Sequence, residues 1–106
     1  MAGNKRLSFG VWLKDWPDGG PIGDLRNDFV DGKTAAEIRK FKSPAHLAEE
    51  LTQYGASREC WKTFVDACNR YAEHPFAIAE NQWRSACNEA VIATGFVDEV
   101  SLDWMD

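Results

Sequence analysis

Apolar residues recur at helical spacing along most of this chain, and proline or glycine interrupts the pattern at short intervals. The clearest segment begins after Ser57, a suitable N-cap, and is broken at His74-Pro75. Its expected buried face consists of Trp61, Phe64, Val65, Cys68, Tyr71 and Ala72. Because the connections are short and no strand pair is apparent, the sequence predicts an all-α fold, a compact bundle of five or six short helices.

The remaining helices are predicted from their caps, breakers and apolar faces. Starts are expected at Ser8, Pro21, Thr34 (a capping box with Glu37) and Ser43-Pro44, and a last helix from Phe76 or Asn81 to Thr94. The expected inward-facing residues are Phe9, Trp12, Leu13, Trp16, Ile22, Leu25, Phe29, Leu47, Ala48, Leu51, Tyr54, Ala79, Trp83, Ala86, Cys87, Ala90 and Val91. We therefore predict a single helical domain over residues 1–95, in which residues 75–95 add a helix.

The stretch PDGGPIGDL at residues 17–25 places glycines before a helix, which is one way in which proteins bind phosphate groups. It lacks the lysine and the serine or threonine of a P-loop, and no strand precedes it. Asp18 and Asp24 would lie near the helix N-terminus, where their charges repel phosphate. The stretch is therefore predicted to be a helix–turn–helix corner bounded by Pro17 and Pro21.

The composition indicates a small cytoplasmic protein. The chain has 106 residues and a formal net charge of -5, so we expect one domain and no attraction to nucleic acid through overall charge. Its three cysteines lack metal-binding spacing, which predicts reduced thiols. No secretory signal and no apolar run of membrane-spanning length is apparent, so we expect no membrane partner.

Three segments resemble the YozE-like family of SAM-like (sterile-alpha-motif-like) helical domains: FGVWL at 9–13, PIGDLRNDF at 21–29, and LAEELTQYGASRECWKTFVDACNRY at 47–71. The resemblance spans roughly residues 8–71, and residues 72–106 extend beyond it. The segment VDGKTAAEIRKFKSP departs from the family pattern because it lacks the usual FP. The resemblance implies a small helical fold and carries over no catalytic residue. SAM-type domains bind proteins and sometimes nucleic acid, which is an analogy of fold alone.

The residue types that could support catalysis are better explained structurally. Asp24 and Asp28 are one turn apart, as on a solvated helix face. His46 and His74 have no cysteine or carboxylate at metal-ligand spacing. Cys60 lies one step from an apolar face, and the other two cysteines lie on such faces, where thiols behave as small apolar groups. We predict no enzyme activity, no metal and no small-molecule cofactor.

A basic segment at residues 33–42 indicates a possible contact with nucleic acid. Positive side chains there could contact phosphates, with Phe41 as the one interleaved aromatic residue. The candidate nucleic-acid-binding residues are Lys33, Arg39, Lys40 and Lys42.

The acidic tail, residues 96–106, combines four acids with large apolar side chains and has no base. Such a segment can dock on a partner protein, or it can fold back on its own domain. The candidate protein-binding residues are Asp98, Glu99, Leu102, Asp103, Trp104 and Met105.

Together these features favour a non-enzymatic module for protein–protein interaction. A small acidic binding protein without a cofactor is typical of a regulator or inhibitor encoded by a phage or other mobile element. The alternative is a nucleic-acid-binding protein that uses the basic segment 33–42.

Overall fold

Six α-helices dominate the part of the chain that the structure, a computed structural model, describes: residues 6–17 and 19–96. They are α1 (Phe9–Lys14), α2 (Gly20–Phe29), α3 (Ala35–Lys40), α4 (Pro44–Tyr54), α5 (Arg58–Ala72) and α6 (Arg84–Thr94). The predicted all-α bundle is confirmed. The Cα radius of gyration of 13.2 Å agrees with the value of about 13 Å expected for a compact chain of this length.

The helices pack chiefly as three neighbouring pairs: α1 with α3, α2 with α5, and α4 with α6. Helix α5 also contacts α4, so it connects the α2–α5 pair with the α4–α6 pair. The apolar faces meet in one core. Its largest fully buried side chains include Trp61, Trp83, Tyr71, Phe9 and Phe64.

The predicted corner between the first two helices is confirmed at its α2 side, but α1 ends at Lys14, three residues before the predicted boundary at Pro17. Gly19 and Gly20 have φ angles of 96° and 75°, a conformation that glycine adopts without steric cost. Pro21 follows in the first turn of α2. Arg26 Nη1 donates a hydrogen bond of 2.7 Å to the carbonyl oxygen of Trp16, which fastens α2 to the end of the preceding segment.

The predicted helix starts are confirmed at α1, α3, α4 and α5. The Ser8 and Ser57 hydroxyls accept hydrogen bonds of 3.3 and 3.2 Å from backbone N–H groups in the first turns of α1 and α5. Thr34 N donates to Glu37 Oε1 at 2.9 Å, and Glu37 N donates to Thr34 Oγ1 at 3.2 Å. Ser43 occupies the N-cap of α4. The side chains of Ser8, Thr34, Glu37 and Ser57 satisfy N–H groups that have no partner inside a helix, whereas Ser43 makes no capping hydrogen bond with its side chain.

Several inward-facing predictions are wrong. Tyr54, the last residue of α4, is 73% exposed, because the chain turns at Gly55 and the ring packs only edge-on against Phe29 at 5.3 Å. Ala79 and Ala86 are also exposed. Helical spacing predicts the direction of a side chain, but whether a neighbour covers it depends on the tertiary arrangement.

The last helix is shorter than predicted. It begins at Arg84 instead of Phe76 or Asn81, and a short 3-10 turn at Glu80–Gln82 precedes it. Its predicted end is confirmed, since Gly95 adopts a φ of 80° after the last helical residue.

Hydrogen bonds of the Tyr71 and Trp83 side chains hold the segment that precedes α6. The Tyr71 hydroxyl donates to the Leu7 carbonyl at 2.6 Å and accepts from Ile78 N at 2.9 Å. Trp83 Nε1 donates to the Ile78 carbonyl at 2.9 Å. Leu7 also pairs with Ala77 in an isolated parallel bridge. The Ile78 carbonyl thus accepts from a side chain, whereas in a helix that began at Phe76 it would accept from Gln82 N.

Candidate functional site

An open groove lies at one end of the bundle, where the last turns of α4 and α6 meet the first turn of α5. Its volume is about 250 Å³. The described residues that line it are Leu51, Thr52, Gly55, Ala56, Trp61, Ala90, Ala93, Thr94 and Phe96. None of these nine described residues carries a charge. The groove therefore offers a mainly apolar surface with two threonines.

Two glycine turns shape the ends of the groove. Gly55 ends α4 in the left-handed conformation, with φ 75° and ψ 43°, and Gly95 ends α6 with φ 80°. Thr94 Oγ1 donates to the Val91 carbonyl at 2.6 Å and accepts from Phe96 N at 3.0 Å. This arrangement holds Phe96 close to the end of α6.

Small side chains keep the groove open. Ala90 and Ala93 line it from α6, and Thr52 lines it from α4. The Thr52 hydroxyl donates to the carbonyl of Ala48 at 2.9 Å, so it is directed back onto its own helix. An adjoining groove shares Thr52 and Ala90, and its further lining includes Ala45, Ala48 and Ala86. The seam between α4 and α6 is thus mostly lined by short side chains.

The floor of the groove belongs to the protein core. Leu51 and Trp61 are 0% and 1% exposed, and Ala56 is 7% exposed. The Trp61 ring packs edge-on against Phe64, with ring centres 5.5 Å apart. Because these side chains are held by the core, the groove is preformed, as ligand-binding surfaces usually are.

The candidate residues of the acidic tail lie outside the described residues, so the structure does not place them: Asp98, Glu99, Leu102, Asp103, Trp104 and Met105. Phe96, the first residue of the tail, is described, and it lines the groove. The acidic tail therefore begins within the groove.

Positive charge lies on the α5 side of the groove. Arg58 and Lys62 are exposed and one turn apart, on either side of Trp61 in the sequence. Arg58 Nε lies 4.0 Å from Glu59 Oε2. Glu59 offsets part of the charge of Arg58, and the N-terminal end of α5 adds a partial positive charge, so the start of α5 has a small excess of positive charge near the lining residue Trp61.

The basic segment 33–42 has its aromatic residue in the core. Phe41 is 6% exposed, which prevents its ring from stacking on a base. Lys33 Nζ lies 3.9 Å from Glu50 Oε1 and 5.3 Å from the centre of the Phe41 ring. Lys33 is therefore already held by an acid and an aromatic ring.

The other three cations of this segment are exposed. Arg39 Nε donates to the carbonyl of Ala35 at 3.3 Å, and Lys40 and Lys42 extend into solvent. Hydrogen bonds with Thr34 are the main cause of a lowered pKa of Glu37, and the nearby lysines contribute. A negative charge thus lies within the basic segment and weakens its attraction for phosphate.

A second open groove, between α2 and α5, is acidic. Asp24, Asp28, Glu59 and Cys60 contribute to its lining. Burial raises the pKa of Cys60, and the charge of Asp28 raises it further. Reactive thiols need a positive environment, so these surroundings make Cys60 a weak nucleophile. Among the described residues, no three His, Cys, Asp or Glu side chains are grouped to hold a metal ion.

The histidines and the other two cysteines occupy structural positions. His74 Nδ1 accepts a hydrogen bond of 3.1 Å from Phe76 N, which supports the turn after α5. His46 lies in the first turn of α4. Cys68 and Cys87 are fully buried, as predicted, and burial raises the pKa of Cys68 well above its ordinary value. Fully buried thiols are inert toward external reagents.

Sequence patterns do not predict the groove, because its lining comes from three separate segments. The available signals were the two glycines that end helices, Gly55 and Gly95, and the alanines at 90 and 93. Each indicates a local turn or a small side chain. Only the packing of α4 on α6 places them together.

Comparisons with family models, curated proteins and solved structures find no match. The resemblance to YozE-like domains therefore stays a prediction. Among the described residues, each helix is too short or too polar to cross a lipid bilayer.

Proposed function

We propose that this chain is a non-enzymatic module that binds another protein, and that apolar side chains of the partner insert into the groove between α4, α5 and α6. The observation that carries the proposal is the uncharged lining on a rigid floor, with Leu51 and Trp61 fully buried beneath the opening. A concave, mainly apolar surface with a few polar groups is typical of binding sites.

The size of the groove suits a short anchoring segment. Burial of one large apolar side chain contributes about 1.5–3 kcal/mol, and a few such anchors dominate the affinity of most interfaces. Two threonines, Thr52 and Thr94, are among the lining residues. We infer that the partner contributes a few bulky apolar residues.

The titratable residues favour binding over catalysis. Cys60 is among carboxylates in a different groove, and His74 is engaged with the backbone of Phe76. The groove between α4, α5 and α6 has no titratable residue among its described lining. A protein-binding role needs none, and it suits a small regulator or inhibitor encoded by a phage or other mobile element.

The groove can be tested by blocking it with a charge. Ala93→Arg places a guanidinium in the groove, at a position that is exposed and outside the core. Ser85→Arg is the matched control, because it adds the same side chain at another exposed position of α6. We expect affinity capture followed by mass spectrometry to recover a partner with the wild type and Ser85→Arg, and to lose it with Ala93→Arg.

Thermal unfolding of both variants checks that the fold is retained. Capture of the same partner by Ala93→Arg and by the wild type would show that the groove is not the binding surface.

A further inference from the structure

We propose that the acidic tail of the same chain occupies the groove between α4, α5 and α6 and competes there with a protein partner. The competition rests on the proposed function, whereas the intramolecular contact does not.

The tail begins at the groove. Phe96 contributes to the lining, and its N–H is bonded to Thr94 Oγ1 at 3.0 Å. A segment attached at the edge of a binding surface has an effective concentration in the millimolar range. A contact with a Kd well below this concentration is then largely formed, and an external partner present at a lower concentration must bind correspondingly more tightly.

The tail has the side chains that the groove accepts. Its apolar residues beyond Phe96 are Val97, Val100, Leu102, Trp104 and Met105. From Phe96 to Trp104 the chain can extend by about 26 Å. Helix α4, with 11 residues, is about 16 Å long, so Trp104 can reach any point along the groove.

The charges favour the tail, and not a second copy of the chain, as the occupant of the groove. The tail carries Asp98, Glu99, Asp103 and Asp106 and no base, and the exposed Arg58 and Lys62 of α5 flank the lining residue Trp61 in the sequence. A second copy would bring together two molecules that each have a net charge of -5, which repel one another. The intramolecular contact gains the attraction without this repulsion.

Nuclear magnetic resonance of the full chain tests the contact directly. With methyl-labelled protein, we expect nuclear Overhauser effects between the Trp104 indole and the methyl groups of Leu51, Ala90 and Ala93. A sample that mixes labelled and unlabelled chains separates contacts within a chain from contacts between chains. Absence of these signals, or their occurrence only between chains, overturns the proposal.

Substitutions in the full chain supply the second measurement. Trp104→Ala should shift the methyl resonances of Ala90 and Ala93, because the indole ring current is lost. Phe76→Ala is the matched control: it removes an aromatic ring that is 49% exposed and is not among the lining residues of the groove. Equal effects of the two variants on the groove methyl groups would contradict the proposal.

Partner capture distinguishes the contact from the competition. If the tail occupies the groove, Trp104→Ala should increase capture of the partner relative to Phe76→Ala. A detected contact with unchanged capture overturns the competition. Loss of capture in Ala93→Arg, with no signal from Trp104, overturns the tail contact and leaves the proposed function standing.

Discussion

Gly10 of α1 lies directly against Ile38 of α3. A β-carbon at residue 10 would be 2.4 Å from the carbonyl oxygen of Ile38 and 2.8 Å from the β-carbon of Phe41. A backbone hydrogen bond also links α1 to the end of α3, since Gly10 N donates to the Phe41 carbonyl at 2.7 Å. The two short helices therefore approach closely because residue 10 has no side chain.

Gly10→Ala is expected to destabilise the protein by about 1–3 kcal/mol, since overpacking forces the backbone of α3 to move. Urea-induced unfolding measures the change. Gly32→Ala is the control, because Gly32 has open space around it and its φ of +89° costs alanine about 1 kcal/mol. If Gly10→Ala lowers the free energy of unfolding by less than Gly32→Ala does, then α1 and α3 can move apart easily and the close contact is not important for stability.

Tyr71→Phe should lower the free energy of unfolding by about 1–3 kcal/mol, because it leaves the Leu7 carbonyl and the Ile78 N–H without their hydroxyl partner. Tyr54→Phe removes the same atom from a ring that is 73% exposed, so its effect should stay within about 0.5 kcal/mol. Chemical denaturation of both variants makes the comparison. Similar values for the two would argue against a structural role for the Tyr71 hydroxyl.

Cys60 should be the first thiol that iodoacetamide modifies in the native protein, because Cys68 and Cys87 are fully buried. Only the thiolate reacts, and the raised pKa of Cys60 lowers the thiolate fraction at a given pH. Asp28→Asn removes a charge that raises this pKa, so the rate profile should move to lower pH. Mass spectrometry across a pH series measures it.

Asp66→Asn provides the control for this experiment. Asp66 is an exposed acid on α5 that pairs with Arg70 at 3.2 Å, and it is not among the causes of the Cys60 shift. Its profile should match that of the wild type. Labelling of Cys68 before Cys60 would refute the expected order of modification. An unchanged pH profile in Asp28→Asn would refute the effect of the Asp28 charge on the pKa of Cys60.

Binding to single-stranded DNA should be weak at physiological salt, because Phe41 is buried and Lys33 is held by Glu50. Fluorescence anisotropy from about 50 to about 200 mM salt tests this, since phosphate contacts weaken steeply over that range. The double variant Lys40→Glu, Lys42→Glu is the comparison. Tight, salt-dependent binding that this variant abolishes would favour the nucleic-acid alternative over the protein-binding groove.

The helix starts were predictable because their contacts are local. The capping box of Thr34 and Glu37 and the cap at Ser57 involve groups within one turn, so residue types at the right spacing are sufficient. The prediction that Tyr54 faces inward was wrong because no neighbouring element covers its ring at the end of α4. The start of α6 predicted at Phe76 was wrong because the Ile78 carbonyl accepts from the Trp83 indole, a contact that helical spacing does not reveal.

The candidate site was less predictable than the fold. Phe41 was a plausible stacking aromatic in the sequence, and only the packing of α1 on α3 shows that it is buried. The groove needs Leu51, Trp61 and Ala93 together, and no spacing rule relates three positions on different helices.

The contact between Leu7 and the segment before α6 has a consequence for folding. Leu7 N donates to the Phe76 carbonyl at 2.8 Å, and the Tyr71 hydroxyl reaches Leu7 across 64 residues of chain. Closing a loop of that length costs on the order of 4 kcal/mol of chain entropy. The individual helices need only near neighbours, so we expect this pairing to form after them. Because it joins the start of the described chain to the segment that precedes α6, its loss should loosen both segments together.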